Sequence, residues 1–188
     1  MKAQREDRRP RKTKALIQKA LIEQLTTREL KDISVSEIAA LADISRGTFY
    51  LHYHDVYDVF EQLEQKLFEE FMVFIEKYKE YPTGSRINVL LELFQYIAAN
   101  AEIFTAILRT KEATILARII ESNRPKNEGE WLNIFSGGEV ASFDYRYEFV
   151  AYGCVAMLKR WFEDGMREPA ERMARLAEEL MTSILTAR

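Results

Sequence analysis

Residues 34–53 read Ser-Val-Ser-Glu-Ile-Ala-Ala-Leu-Ala-Asp-Ile-Ser-Arg-Gly-Thr-Phe-Tyr-Leu-His-Tyr, and their spacing predicts two short helices joined by a tight turn. Ser34 is placed to cap the first helix, and Glu37, three residues on, completes a capping box. Val35, Ile38, Ala39 and Ala42 follow i, i+3, i+4, i+7 spacing and form one inward stripe. Asp43-Ile44 makes the turn, with Ile44 filling the angle between the helices, and Ser45 caps the second helix. Phe49 and Tyr53 lie four apart and turn inward. Helices so arranged form a helix-turn-helix, the shape that sets its second helix in a DNA major groove.

The same spacing leaves Arg46, Gly47, Thr48, Tyr50, Leu51 and His52 facing outward. Arg and His suit base edges or phosphates, and the hydroxyls of Tyr and Thr suit phosphate oxygens. Gly47 costs helix propensity but permits close backbone approach to a phosphate. A plain helical hairpin would show the same capping serines and apolar stripe, so the charge around the motif matters. Residues 1–53 hold 11 Lys/Arg against 7 Asp/Glu, whereas the remainder holds 16 against 23. A net charge of −3 therefore conceals a basic head on an acidic body. Arg5, Arg8, Arg9, Arg11, Lys12 and Lys14 gather before the first helix, where they add attraction for phosphate. For residues 1–7 a solvated leader is an equal reading.

Ile33-Ser-Val-Ser-Glu-Ile-Ala, followed by Ser45-Arg-Gly-Thr-Phe-Tyr-Leu-His-Tyr, resembles the DNA-binding domain of the tetracycline-repressor (TetR) family. The preceding helix, Arg11 to Arg28, fits with Ile17, Ala20, Leu21 and Leu25 on its inner face, and the resemblance covers about residues 8–60. It implies that Thr48 and Leu51 face base edges, that Tyr50 and His52 hold phosphates, and that Ser36 approaches from the first helix of the motif. Lys12, Arg46, Gly47 and His54 complete the implied DNA-contacting set. The chain departs from the pattern at one point. The family usually carries a phosphate-contacting lysine at the start of the next helix, and here that position is Val56, so His54 or the basic arm is expected to compensate. Further implications are a homodimer on a palindromic operator and a small-molecule effector bound in the body.

Beyond the motif, a helical pattern over about 56–81 carries Val56, Val59, Phe60, Leu63, Leu67, Phe71, Phe74, Ile75 and Tyr78 on its apolar faces. At 1.5 Å per residue it would reach roughly 35 Å or more, long enough to act as a lever between head and body. Helical patterns follow at about 85–99, 101–109 and 111–122. A polar loop is expected over 121–130, then one turn at Trp131-Leu-Asn-Ile-Phe docked on the body before Gly137-Gly138. The last two helices are expected at about 140–163 and 169–187. Val150, Cys154, Met157, Leu158 and Trp161 share a face of the first. Met173, Leu176, Ala177, Leu180 and Ile184 share a face of the second. Asp164-Gly165 ends one helix and Pro169 begins the next. These stripes either complete the monomer core or pair with a second copy. The dimer is preferred, because a palindromic operator needs two heads about 34–36 Å apart, with Val150, Gly153, Cys154, Met173, Leu176, Leu180 and Ile184 as its interface. The tail from Tyr152-Gly-Cys through Lys159-Arg-Trp-Phe-Glu-Asp-Gly-Met also resembles the C-terminal region of one TetR subgroup.

An effector pocket is expected among Phe68, Phe71, Met72, Phe94, Phe104, Ile107, Tyr147, Met157 and Trp161, a lining suited to a small apolar or aromatic molecule. Each of these is otherwise an ordinary core residue. The two histidines lie in the DNA-facing segment, so a metal site at His52-Tyr-His54-Asp55 is not expected. Cys154, the single cysteine, can form no internal disulfide, fits a reducing cytoplasm, and reads as a small buried hydrophobe. No phosphate-binding glycine loop, paired-carboxylate site or nucleophile motif is present, so neither enzyme activity nor a cofactor is expected. No apolar run approaches the roughly 20 residues of a membrane span, and the charged leader is no secretory signal. With 47% hydrophobic residues, 7 glycines and 4 prolines, the expected fold is all-α with about nine helices. A helix-turn-helix domain at 1–55 would be followed by a helical regulatory and dimerisation domain at 56–188. The expected function is transcriptional regulation, as a repressor released by an effector. A helical adaptor or coactivator working through a protein partner is the alternative.

Overall fold

The computed structural model describes residues 8–80, 86–111, 113–124 and 143–186. The expected turn at Trp131–Phe135 and the Gly137-Gly138 break lie outside these residues. Among the described residues there are nine α-helices and no strand: α1 (Arg8–Leu25), α2 (Val35–Leu41), α3 (Arg46–Tyr50), α4 (Val56–Glu80), α5 (Arg86–Ala99), α6 (Ala101–Arg109), α7 (Ile115–Ser122), α8 (Phe143–Glu163) and α9 (Ala170–Thr186). A 3-10 turn, Leu30–Asp32, leads into α2. No single described helix is long and apolar enough to cross a membrane.

The helices gather into two compact units. The first runs to Leu67 and also takes in Glu102–Ala113. Its core is built from α1 (Ile17, Leu21, Leu25), the 3-10 turn (Leu30), α2 (Ile38, Ala39), Phe49, Tyr53 and the first turns of α4 (Val56, Val59, Phe60, Leu63), all buried. The inner face expected for α1 is thus buried, although the helix starts three residues earlier than the spacing suggested and ends at Leu25. Burying each large side chain of this kind contributes about 1.5–3 kcal/mol. Ala106 and Ile107 of α6 are buried as well, and Lys111 just beyond α6 forms an ion pair with Glu29 at 2.7 Å.

The second unit comprises Phe68–Ala101 and the chain from Thr114 onward. Here α9 packs on α5 and α8. Val89, Leu93, Phe94 and Ile97 of α5 are buried, as are Met173, Ala174 and Ala177 of α9. Met166 N–H donates to the Trp161 carbonyl and Gly165 N–H to the Phe162 carbonyl. Gly165 takes φ +70°, the left-handed conformation that closes a helix C-terminus and that glycine adopts without strain. Trp161 Nε1 donates to the Glu168 carbonyl at 2.9 Å and fixes the same corner. The Pro169 carbonyl accepts from Met173 N–H, so Pro169 caps α9 rather than forming its first residue. Arg124, after α7, reaches Glu148 and Asp144 of α8.

Candidate nucleic-acid interface

The turn between α2 and α3 is built from four local devices. Ser34 Oγ accepts from Glu37 N–H, and the Glu37 carboxylate accepts in return from Ser34 N–H at 2.9 Å, which satisfies orphan donors at the start of α2. At its end, Asp43 N–H donates to the Ala40 carbonyl and Ile44 N–H to the Ala39 carbonyl. Asp43 adopts φ 53° and reverses the chain there, so α2 ends in a Schellman motif. Ser45 Oγ then accepts from Thr48 N–H at 3.0 Å and caps α3. Finally, Phe49 and Tyr53 are buried with ring centroids 5.9 Å apart and anchor α3 from beneath.

That anchoring fixes what faces water. Leu51 is 80% exposed and Tyr50 59%, although both are large and apolar or aromatic. Ser36, Arg46 and Gly47 are exposed, and Thr48 and His52 are half-buried. Lys12 is exposed on α1, and Lys14 places its ammonium 5.6 Å from the Tyr53 ring centroid. A Cβ built on Gly47 would meet only Ser45 Oγ, at 3.6 Å, so the backbone there lies open to close approach.

Val56 is buried at 4% exposure and belongs to the core of the first unit. The start of α4 is held by carboxylates instead. Asp55 Oδ1 accepts from Asp58 N–H, and Asp58 Oδ2 accepts from His54 N–H, both at 2.8 Å. These acids stabilise the helix N-terminus but present negative charge where the family pattern has a lysine. His54 remains exposed.

The residues expected to line a pocket are divided between the units. Phe104 and Ile107 fall in the first unit and the other seven in the second. In the second unit Phe94 packs edge-on against Trp161, with centroids 5.6 Å apart. Phe68 lies under the Arg118 guanidinium at 4.3 Å. Met72 Sδ accepts from Asn123 Nδ2 at 3.3 Å. The Tyr147 hydroxyl donates to the Ile120 carbonyl, and burial pushes its pKa up to about 12. Phe71 and Met157 are half-buried. Phe94, Tyr147 and Trp161 thus serve the packing of this unit.

On the last two helices the residues expected at an interface differ in burial. Met173 is only 6% exposed, whereas Leu176 is 37% and Leu180 48% exposed. The apolar arc of α9 is wide, and only one flank of it enters the core. Val150 packs against the Ile120–Tyr147 cluster, and Cys154 is half-buried, its thiol pushed up to about 11 by burial. Ile184 is half-buried, and its carbonyl accepts from Arg146 at 2.9 Å. Gly153 is exposed, and a Cβ added there would meet nothing within 4 Å. The sequence reading missed the most exposed apolar residues of α8: Tyr145 at 80%, Phe149 at 67% and Tyr152 at 58%. Their i, i+4, i+7 spacing was a readable signal, but a second stripe on the same helix drew the assignment.

A head whose second helix presents exposed side chains above a buried aromatic anchor, on an all-helical chain, is the architecture of a helix-turn-helix regulator. Residues 86–183 match the TetR_C_8 family, a transcriptional regulator C-terminal region. The chain therefore belongs to the TetR family of transcriptional regulators, whose members bind DNA and are dimers. The fold agrees with that of a TetR transcriptional regulator from Streptococcus agalactiae 2603V. That pair gives a TM-score of 0.66 at 19% identity, covering 93% of this chain and 96% of the other. The fatty acid degradation regulator FadR from Bacillus halodurans aligns at a TM-score of 0.69 and 14% identity, covering 90% of this chain and 94% of that one. An uncharacterized HTH-type transcriptional regulator of Bacillus subtilis (strain 168), YxbF, is 33% identical over 60 residues. That match spans 32% of this chain and 16% of the relative's length.

Proposed function

We propose that this regulator is a cytoplasmic repressor that binds a palindromic operator as a homodimer and releases it when an effector occupies the body. The exposed outer face of α3 over the buried Phe49–Tyr53 anchor carries the reading. An exposed leucine beside an exposed tyrosine, an exposed arginine and a half-buried histidine at one short helix gives a surface with both apolar and hydrogen-bonding groups for a groove. In this reading Arg46, Gly47, Thr48, Tyr50, Leu51 and His52 meet the major groove. Ser36 and Lys12 contact flanking phosphates, and His54 stands in for the lysine that Val56 replaces. The head of 1–55 then works with a regulatory body of 56–188, and α4, which starts in the first unit and continues into the second, is a lever about 37 Å long.

The homodimer is supported by α8, which is apolar on two sides. One side packs within the second unit. Tyr145, Phe149, Tyr152 and Gly153 line the other, next in kind to Leu176 and Leu180 of α9. An effector acts only through tighter binding to the body shape that misplaces the heads. A partner-protein adaptor has no observation in its favour.

Gel shift against the DNA flanking this protein's own gene tests the reading. Binding is expected to be saturable, to weaken steeply with salt, and to fall at least tenfold in Thr48→Ala plus Tyr50→Ala. Binding indifferent to salt, or unchanged in the double variant, overturns it.

A further inference from the structure

The most exposed apolar side chain of the α3 segment is Leu51. Ser45 Oγ not only accepts from Thr48 N–H but also shares a hydrogen bond with Thr48 Oγ1 at 2.9 Å. Ser45 thus holds the Thr48 hydroxyl on the side of the helix cap, and Thr48 also carries a methyl beside it. Leu51, three residues on and on the same face, offers only methyls and is 80% exposed. Gly47 offers no side chain at all. After Arg46, no side chain from Gly47 to Leu51 carries the fork of donors and acceptors, as Arg, Asn or Gln do, that reads guanine or adenine edges.

In the major groove the one apolar feature of a base edge is the C5-methyl of thymine. We propose that this head selects its operator by thymine methyl groups, with Leu51 as the main reader and the Thr48 methyl as the second. The proposal rests on α3 being the DNA-reading helix. It gives each half-site adjoining A·T pairs whose thymine methyls face α3.

Replacing thymine by deoxyuridine removes the methyl and leaves pairing and phosphates intact. The probe is a duplex operator obtained by selection from random DNA, with each thymine of the half-site replaced in turn by deoxyuridine. At one or two positions per half-site affinity is expected to fall about fourfold for each methyl removed, with the salt dependence unchanged. In Leu51→Ala, whose side chain lies outside the core so that the fold is retained, the preference for thymine over deoxyuridine at the main position should fall to about one. Tight, selective binding that no deoxyuridine alters would overturn the thymine proposal and leave the regulator reading standing. A preference that survives Leu51→Ala would remove Leu51 as the reader. Failure to select any duplex would overturn the regulator reading itself.

Discussion

Asp43 holds the left-handed conformation at φ 53° because the Schellman end of α2 demands it. Glycine is the residue that meets this demand without cost, aspartate tolerates it, and a β-branched side chain clashes with its own carbonyl. Asp43→Val is expected to lower stability by about 1–2 kcal/mol, whereas Asp43→Gly should stay within about 0.5 kcal/mol of the parent. Urea unfolding read by far-ultraviolet circular dichroism separates the two. The turn could be read in the sequence because every device in it is local: a serine, a glutamate three residues later, then aspartate and a second serine. The hydrogen bond between the Ser45 and Thr48 hydroxyls could not be read in the same way, because a residue type does not say which neighbour its hydroxyl meets.

At the scale of elements, Arg28 ties three pieces of the head together. Its Nη1 donates to Glu37 Oε1 at 2.7 Å and to Gln24 Oε1 at 2.8 Å, and its Nη2 reaches the Asp32 carbonyl. The end of α1, the 3-10 turn and the start of α2 are thus joined through one guanidinium. The capping hydrogen bond from Ser34, with Arg28 beside it, holds the Glu37 carboxyl down at about 2. A carboxyl lowered from 4.5 stabilises the fold fully above that pH, and its contribution disappears as pH falls from about 4.5 towards 2. The head is expected to lose urea resistance over that window, and Glu37→Gln should lose it less steeply; equal slopes would show that Glu37 is not responsible. The capping box was evident in the sequence, but Arg28, nine residues from Glu37, was not, because loop geometry rather than helical period brings them together. The faces of α8 and α9 were legible only as arcs. A period of 3.6 identifies an apolar arc but not which flank of a wide arc the chain itself covers.

For the whole molecule, the exposed aromatics of α8 and the exposed Leu176 and Leu180 of α9 are where a second copy is expected to close. Phe149→Glu plus Leu180→Glu changes residues that are 67% and 48% exposed, so the monomer fold should survive. Sedimentation is expected to show monomers where the parent shows dimers, and operator affinity should fall at least tenfold, because the two half-sites would no longer be bound as one. An unchanged dimer would place the interface elsewhere. The all-helical class was legible from composition and period alone. The membership of α6 was not, because nothing in the order of the chain reveals that Glu102–Ala113 belongs with the head.

That last point has a consequence in time. A protein is made from its N-terminus, yet the head unit here is completed by residues that lie beyond the first part of the body. When the ribosome has added Leu67, the residues of the DNA-reading helices have been made, but Ala106, Ile107 and the Lys111 partner of Glu29 have not. At roughly 5–20 residues per second they follow about 2–9 s later. The nascent head therefore waits, incompletely packed, until much of the body has been synthesised.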